Sequence, residues 1–287
     1  MRPGPNLFVV GAAKAGTTSL WAHLKAHPEI FMAKVKEPHF YSRGGLAPGQ
    51  LSVKDPEEYA RLFARGAARR YRGEASPSYL WDESAAARIK RAEPEARILV
   101  SLRDPVERAW SSYVMCTSLG LEDRPFEQAL DDELAGGVDI AAQPPPYLAR
   151  GRYAEQLARY LELFGDATIL VWFDELAADT RGTMRSVFDR LGLDPLPAER
   201  LDPTPVVPHL RPRNAAAAAL LGLPGVRRAG DALLRGRVRR LAQAAVLRHE
   251  KPELHPLTRS RLRELFAPDD DRLRELLGRP LPWDGRE

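Results

Sequence analysis

Cysteine is almost missing from this chain: 287 residues contain one, Cys116. A single thiol cannot close an intrachain disulfide, and no second ligand stands beside it at metal-knot spacing. That excludes a disulfide-stapled scaffold and a cysteine-based zinc fold. Long apolar runs are missing too. The nearest approach, residues 215–226, is too short for a bilayer and is broken by Gly222 and Pro224. Charge of one sign is also missing. Lys and Arg number 43 against 39 Asp and Glu, a net charge of +4, which gives no reason to expect nucleic acid as a partner. The first apolar run begins near Asn6, leaving no room for a signal peptide, so without disulfides a cytoplasmic location is the expectation.

One stretch departs from the overall balance. From Arg211 to Lys251, ten Arg or Lys face two acidic residues, Asp231 and Glu250. Such a block is either a solvated face of an Ala/Leu helix, or a surface that steers an anionic substrate or makes peripheral contact with an acidic surface. The Ala-, Arg- and Pro-heavy composition has a bacterial character.

Against these absences stand apolar runs at 7–10, Arg97–Leu102 and 168–173, which read as buried parallel strands. Helical patterns alternate with them. Residues 18–26 end at His27-Pro28, Pro105–Ser118 begins with Asp104 as N-cap, and 180–191 stops at Gly192. The alternation predicts an α/β protein with a central parallel sheet flanked by helices and ligands beyond the strands' carboxyl ends. One domain over 1–287 accommodates this length. Loops are expected at 32–50, 135–146 and 194–213. The last holds six prolines and leads into a C-terminal helical lid at about 203–250 that faces the acceptor.

The chemistry begins in Phe8-Val9-Val10-Gly11-Ala12-Ala13-Lys14-Ala15-Gly16-Thr17-Thr18-Ser19-Leu20. A strand, a glycine-flanked turn and a helix that opens with hydroxyls aim backbone N–H groups at one spot, which suits a phosphate. Gly11-x4-Gly16 has the spacing of a nucleoside-triphosphate loop, yet Thr17 occupies the lysine's place and Lys14 lies inside the loop.

Lys14-x-Gly16-Thr17-Thr18 resembles the 5′-phosphosulfate loop of sulfotransferases that use 3′-phosphoadenosine 5′-phosphosulfate (PAPS). Arg103-Asp104-Pro105, with Ser111 eight residues after the arginine, resembles that family's 3′-phosphate segment. Lys36-Glu37-Pro38-His39-Phe40-Tyr41 resembles the catalytic segment of its heparan/glycosaminoglycan-type branch, and the run from Leu254 to Trp283 is similar to the family's C-terminus. The resemblance implies a P-loop-like fold and sulfuryl transfer, by in-line displacement and without metal, from PAPS to a hydroxyl of a carbohydrate, glycolipid or small-metabolite acceptor. The spent donor would be 3′-phosphoadenosine 5′-phosphate (PAP). It implies that Lys14, Ala15, Gly16, Thr17 and Thr18 hold the 5′ end, with Lys14 also stabilising the leaving group. Arg103 and Ser111 would hold the 3′-phosphate, with Lys251 a weaker donor contact. Either Glu37 or His39 would take the acceptor's proton. Where heparan-type relatives carry a lysine in the segment Gly73-Glu74-Ala75-Ser76-Pro77-Ser78-Tyr79, this chain has Ala75, which weakens a heparan-like acceptor. Ser76 and Tyr79 remain candidates to line the site.

The residues also admit a P-loop kinase or NTPase, with Asp174 at the end of a strand as its magnesium-holding acid, or a non-catalytic nucleotide-binding module. His23 and His27 sit four apart, a metal-ligand spacing, but no acidic residue completes a known pattern, so they read as surface histidines.

Overall fold

The computed structural model describes residues 4–43, 52–136, 144–197 and 252–286, with short pieces at 139, 142, 200–201, 210–212 and 247–249. A five-stranded, wholly parallel sheet forms its centre, built from β1 (Leu7–Gly11), β2 (Ile30–Met32), β3 (Tyr71–Ala75), β4 (Arg97–Leu102) and β5 (Thr168–Trp172) in the order β2-β3-β1-β4-β5. Three of these strands, including the Arg97–Leu102 span, follow from their apolar runs. Ile30–Met32 and Tyr71–Ala75 do not: the first is apolar but only three residues long, and the second is interrupted by Arg72, Gly73 and Glu74.

Alternation of side chains across each strand sends apolar groups to both faces, and helices cover both. On one face Leu7, Val9, Leu99 and Val171 pack against Leu20 and Leu24 of α1 (Thr17–Ala26). Phe8, Val10, Ile98 and Val100 face the opposite way. There they meet Tyr153, Leu157 and Tyr160 of a helix at Tyr153–Phe164, and Leu273 of another at Pro256–Leu277. The latter is a 22-residue core helix, the last described element of regular structure. Its Leu262 and Phe266 join a third cluster with Val106, Ala109 and Val114 of the helix Pro105–Ser118. In chain order the described helices are α1; α2 (Pro56–Arg61), α3 (Ser78–Trp81) and α4 (Ala85–Ala92); α5 (Pro105–Ser118), α6 (Phe126–Leu134) and α7 (Tyr153–Phe164); and α8 (Phe173–Ala178), α9 (Thr180–Arg190) and α10 (Pro256–Leu277).

The helical lid expected over 203–250 lies outside the described residues, except that β6 (Leu210–Pro212) pairs antiparallel with β7 (Leu247–His249). The Arg211–Lys251 charge block shares that position. Among the described residues no helix is long and apolar enough to cross a membrane.

Candidate active site

Strand β1 ends at Gly11, and the turn that follows is clamped onto β4. The Ala12 N–H donates to the Ser101 carbonyl at 2.6 Å, and the Ser101 hydroxyl donates to the Ala15 carbonyl at 2.5 Å. Gly16 enters α1 as its N-cap at φ 80°, and no side chain caps it among the described residues. The helix N-terminus therefore keeps its anion-seeking character, with no acidic residue in its first turn. Thr17 is buried at that end and Thr18 is exposed. Glycine at 16 also has a packing reason: a Cβ there would lie 2.8 Å from Phe173, the ring over which the Arg103 guanidinium sits at 4.6 Å.

Lys14 adopts φ 70°, and its carbonyl accepts from Arg103 at 3.2 Å. Its ammonium points along α5 to within 3.5 Å of the Met115 sulfur. Burial, reinforced by the Arg103 charge, pushes its pKa down, while the nearby Glu37 and Cys116 pull the other way. Arg103 follows β4 and lies 3.6 Å from Glu107. Asp104 does not pair with it. Instead Asp104 caps α5 through the Val106 N–H at 2.9 Å and takes a two-pronged ion pair from Arg263 of α10, at 2.8 and 2.6 Å. Ser111 is buried two turns into the same helix.

The segment 36–39 crosses the carboxyl end of β3, where the Glu37 N–H donates to the Ala75 carbonyl at 3.0 Å. It is not extended: Glu37 and His39 stand at φ 61° and 52° on either side of Pro38, a left-handed conformation uncommon for such residues. The tight turn nevertheless brings the Glu37 carboxylate within 3.5 Å of the His39 Nε2. Lys36 pairs with the other carboxylate oxygen. Burial raises the Glu37 pKa, but the hydrogen bond from His39 and the Lys36 charge outweigh it and hold the carboxyl at about 2. His39 is buried, with its Nδ1 2.7 Å from the Ser78 hydroxyl and its N–H donating to the Ser76 hydroxyl at 3.1 Å.

Lys14, Ala15, Gly16, Thr17, Arg103, Lys36 and Glu37 thus gather at the carboxyl ends of β1, β3 and β4, with Lys14 in electrostatic contact with Arg103, Lys36 and Glu37. Lys251 lies outside the described residues. Ser76 and Tyr79 do not line the site. Both are fully buried and turn their hydroxyls to Glu74, a buried carboxylate that motif spacing did not single out. Asp174 is in α8 and pairs with Arg286 at 2.9 Å. The two histidines read as superficial are buried: His27 meets the Asp194 carbonyl at 3.0 Å and packs on Phe188, and burial lowers the His23 pKa. Among the described residues no group of His, Cys, Asp or Glu is arranged to hold a metal ion.

Compared with known proteins, residues 47–197 match the family described as the sulfotransferase family. Carbohydrate sulfotransferase 15 of Rattus norvegicus is 28% identical over 248 residues, covering 67% of this chain and 44% of that protein. Heparan sulfate glucosamine 3-O-sulfotransferase 3A1 of Homo sapiens is 27% identical over 286 residues, covering 98% of this chain and 63% of that protein. The chain thus spans less than two thirds of the length of these relatives. A crystal structure of a sulfotransferase from Alicyclobacillus acidocaldarius superposes with a TM-score of 0.70 at 30% identity, covering 97% of this chain and 98% of that one.

Proposed function

Because this chain belongs to the sulfotransferase family, we propose that it transfers the sulfuryl group of PAPS to a hydroxyl of a carbohydrate-type acceptor, with a glycolipid or a small metabolite as the narrower options. The acceptor oxygen attacks sulfur, and the bond between sulfur and the bridging phosphosulfate oxygen breaks. The departing electron pair stays on the phosphate of PAP. The acceptor's proton passes to Glu37, whose low pKa keeps it ionised and which His39 holds in place. Lys14 and the amides at the start of α1 meet the negative charge that builds on the bridging oxygen. Arg103 supplies a planar fork for the 3′-phosphate.

The observation that carries this reading is the meeting of Lys14 and Arg103 with Glu37 above the sheet, although they come from three separate segments. Calorimetry with PAP and ADP, with and without Mg²⁺, tests it. PAP is expected to bind without metal and more tightly than ADP. Arg103→Ala removes charge-assisted hydrogen bonds of about 1.5–3 kcal/mol, a loss of roughly 10- to 100-fold that abolishes the preference for PAP. Preference for ADP or ATP with Mg²⁺, lost in Asp174→Ala, would overturn the reading in favour of a P-loop kinase or NTPase.

A further inference from the structure

The geometry points to Glu74 as the residue that positions the Glu37–Pro38–His39 turn, acting through three arms on three consecutive residues. This inference rests on the proposed role of that turn in sulfuryl transfer.

Glu74 stands in β3 opposite Phe8 of β1 and is fully buried, a place where a carboxylate survives only with its oxygens satisfied. Its Oε2 accepts from the Ser76 hydroxyl at 2.6 Å, and its Oε1 accepts from the Tyr79 hydroxyl at 2.8 Å and from that of Tyr59. Burial raises the Glu74 pKa, and the hydroxyls of Ser76, Tyr59 and Tyr79 pull it part of the way back down by donating to the charged form. The ionised carboxylate has no proton to give, so in that form each hydroxyl directs its hydrogen inward. The outward lone pairs of two of them then become acceptors for the catalytic segment. Ser76 takes the His39 N–H at 3.1 Å, and Tyr79 takes the Tyr41 N–H at 3.3 Å. The third arm holds the residue between them, for the Tyr59 ring stacks on Phe40 at 4.0 Å and 7°. Arg88 closes the far side by donating to the Tyr41 carbonyl.

Residues 39–41 are thereby gripped at two backbone N–H groups and one ring, and all three contacts trace to one carboxylate. His39 is held at φ 52°, a conformation the chain does not favour unaided. The imidazole that meets Glu37 is held separately, by the Ser78 hydroxyl at 2.7 Å from its Nδ1. Glu74 touches neither donor nor acceptor in this scheme: its work is to orient two hydroxyls.

Glutamine has nearly the same shape but presents an amide donor on one side. The hydroxyl facing that donor must turn, and its link to the backbone N–H weakens. Amide hydrogen exchange resolved by residue reads this without an acceptor substrate. Glu74→Gln is expected to speed exchange at His39, at Tyr41, or at both, by about fivefold for a net hydrogen bond of about 1 kcal/mol. Ser76→Ala should do so at His39 alone and Tyr79→Phe at Tyr41 alone, while amides of β1 and the affinity for PAP stay unchanged. Glu74→Gln in the Ser76→Ala background should add nothing at His39, because both act along one chain.

Exchange that rises throughout β1 and β4 in all variants would reduce Glu74 to a general packing role and overturn the proposal. So would unchanged exchange at His39 and Tyr41. Should Glu74→Gln fail to fold, the two hydroxyl variants decide the same question. Wild-type protein that ignores PAP removes the sulfotransfer reading instead, a separate measurement from the exchange pattern.

Discussion

Gly16→Ala links the backbone of the phosphate loop to the arginine beyond it. The residue stands at φ 80°, where a side chain costs about 1–2 kcal/mol. The new Cβ would also lie 2.8 Å from Cδ2 of Phe173 and 3.5 Å from Leu176. The Phe173 ring is half-buried and yields by a few tenths of an ångström, so this overpacking falls at the low end of its range, about 1 kcal/mol. Together the losses reach about 2–3 kcal/mol, or roughly 5–10 °C in melting temperature for a domain of this size. The displaced ring carries the Arg103 guanidinium, which also holds the Lys14 carbonyl. PAP affinity is therefore expected to fall about tenfold, the weight of one charge-assisted contact. Thermal melts and calorimetry measure both effects. Adding Phe173→Leu should recover the packing part, about 1 kcal/mol, and leave the backbone part untouched. A Gly16→Ala protein with wild-type melting and wild-type PAP binding would refute the reasoning.

Two further predictions concern charge. Glu37 has its pKa lowered from 4.5 to about 2, so it stabilises the fold above pH 4.5 and loses that contribution as pH falls through about 2. The full shift corresponds to about 3 kcal/mol, and with the carboxylate 30% exposed about 2 kcal/mol is expected. Urea midpoints of wild type and Glu37→Gln should therefore converge from pH 5 to 2, and a constant difference would contradict the assignment. Arg263→Met leaves the buried Asp104 carboxylate without its two-pronged partner and should cost about 3–5 kcal/mol. Asp104→Asn in the same chain should restore most of that loss, because the amide oxygen still caps α5.

Much of the frame was legible because its causes are local. Asp104-Pro105 starts a helix wherever it follows a strand, and the structure begins and ends α5 at Pro105 and Ser118. Strand β3 was not legible. Gly73 is there because a Cβ would lie 2.4 Å from the Met32 sulfur, and Glu74 is tolerated because Tyr59, Ser76 and Tyr79 satisfy it. Neither residue resembles a strand core until those neighbours are in place. The same applies to His27, which is buried against Phe188 of α9 and meets the Asp194 carbonyl.

By itself the sequence determined the family resemblance, the phosphate-seeking loop at Lys14–Thr18 and the alternation of strands and helices. These rest on neighbouring residues, through glycine's access to positive φ, a proline-led helix start and apolar runs of strand length. Tertiary structure alone decided that Glu37 and His39 meet across a left-handed turn, that Lys14 stands close to them, and that the turn hangs from Glu74. His39 finds its partners at Ser76 and Ser78, 37 and 39 residues away, and Lys14 finds Met115 101 residues away. Hydrogen bonds over such separations form only once the sheet has set its strand order, and no local pattern encodes that order.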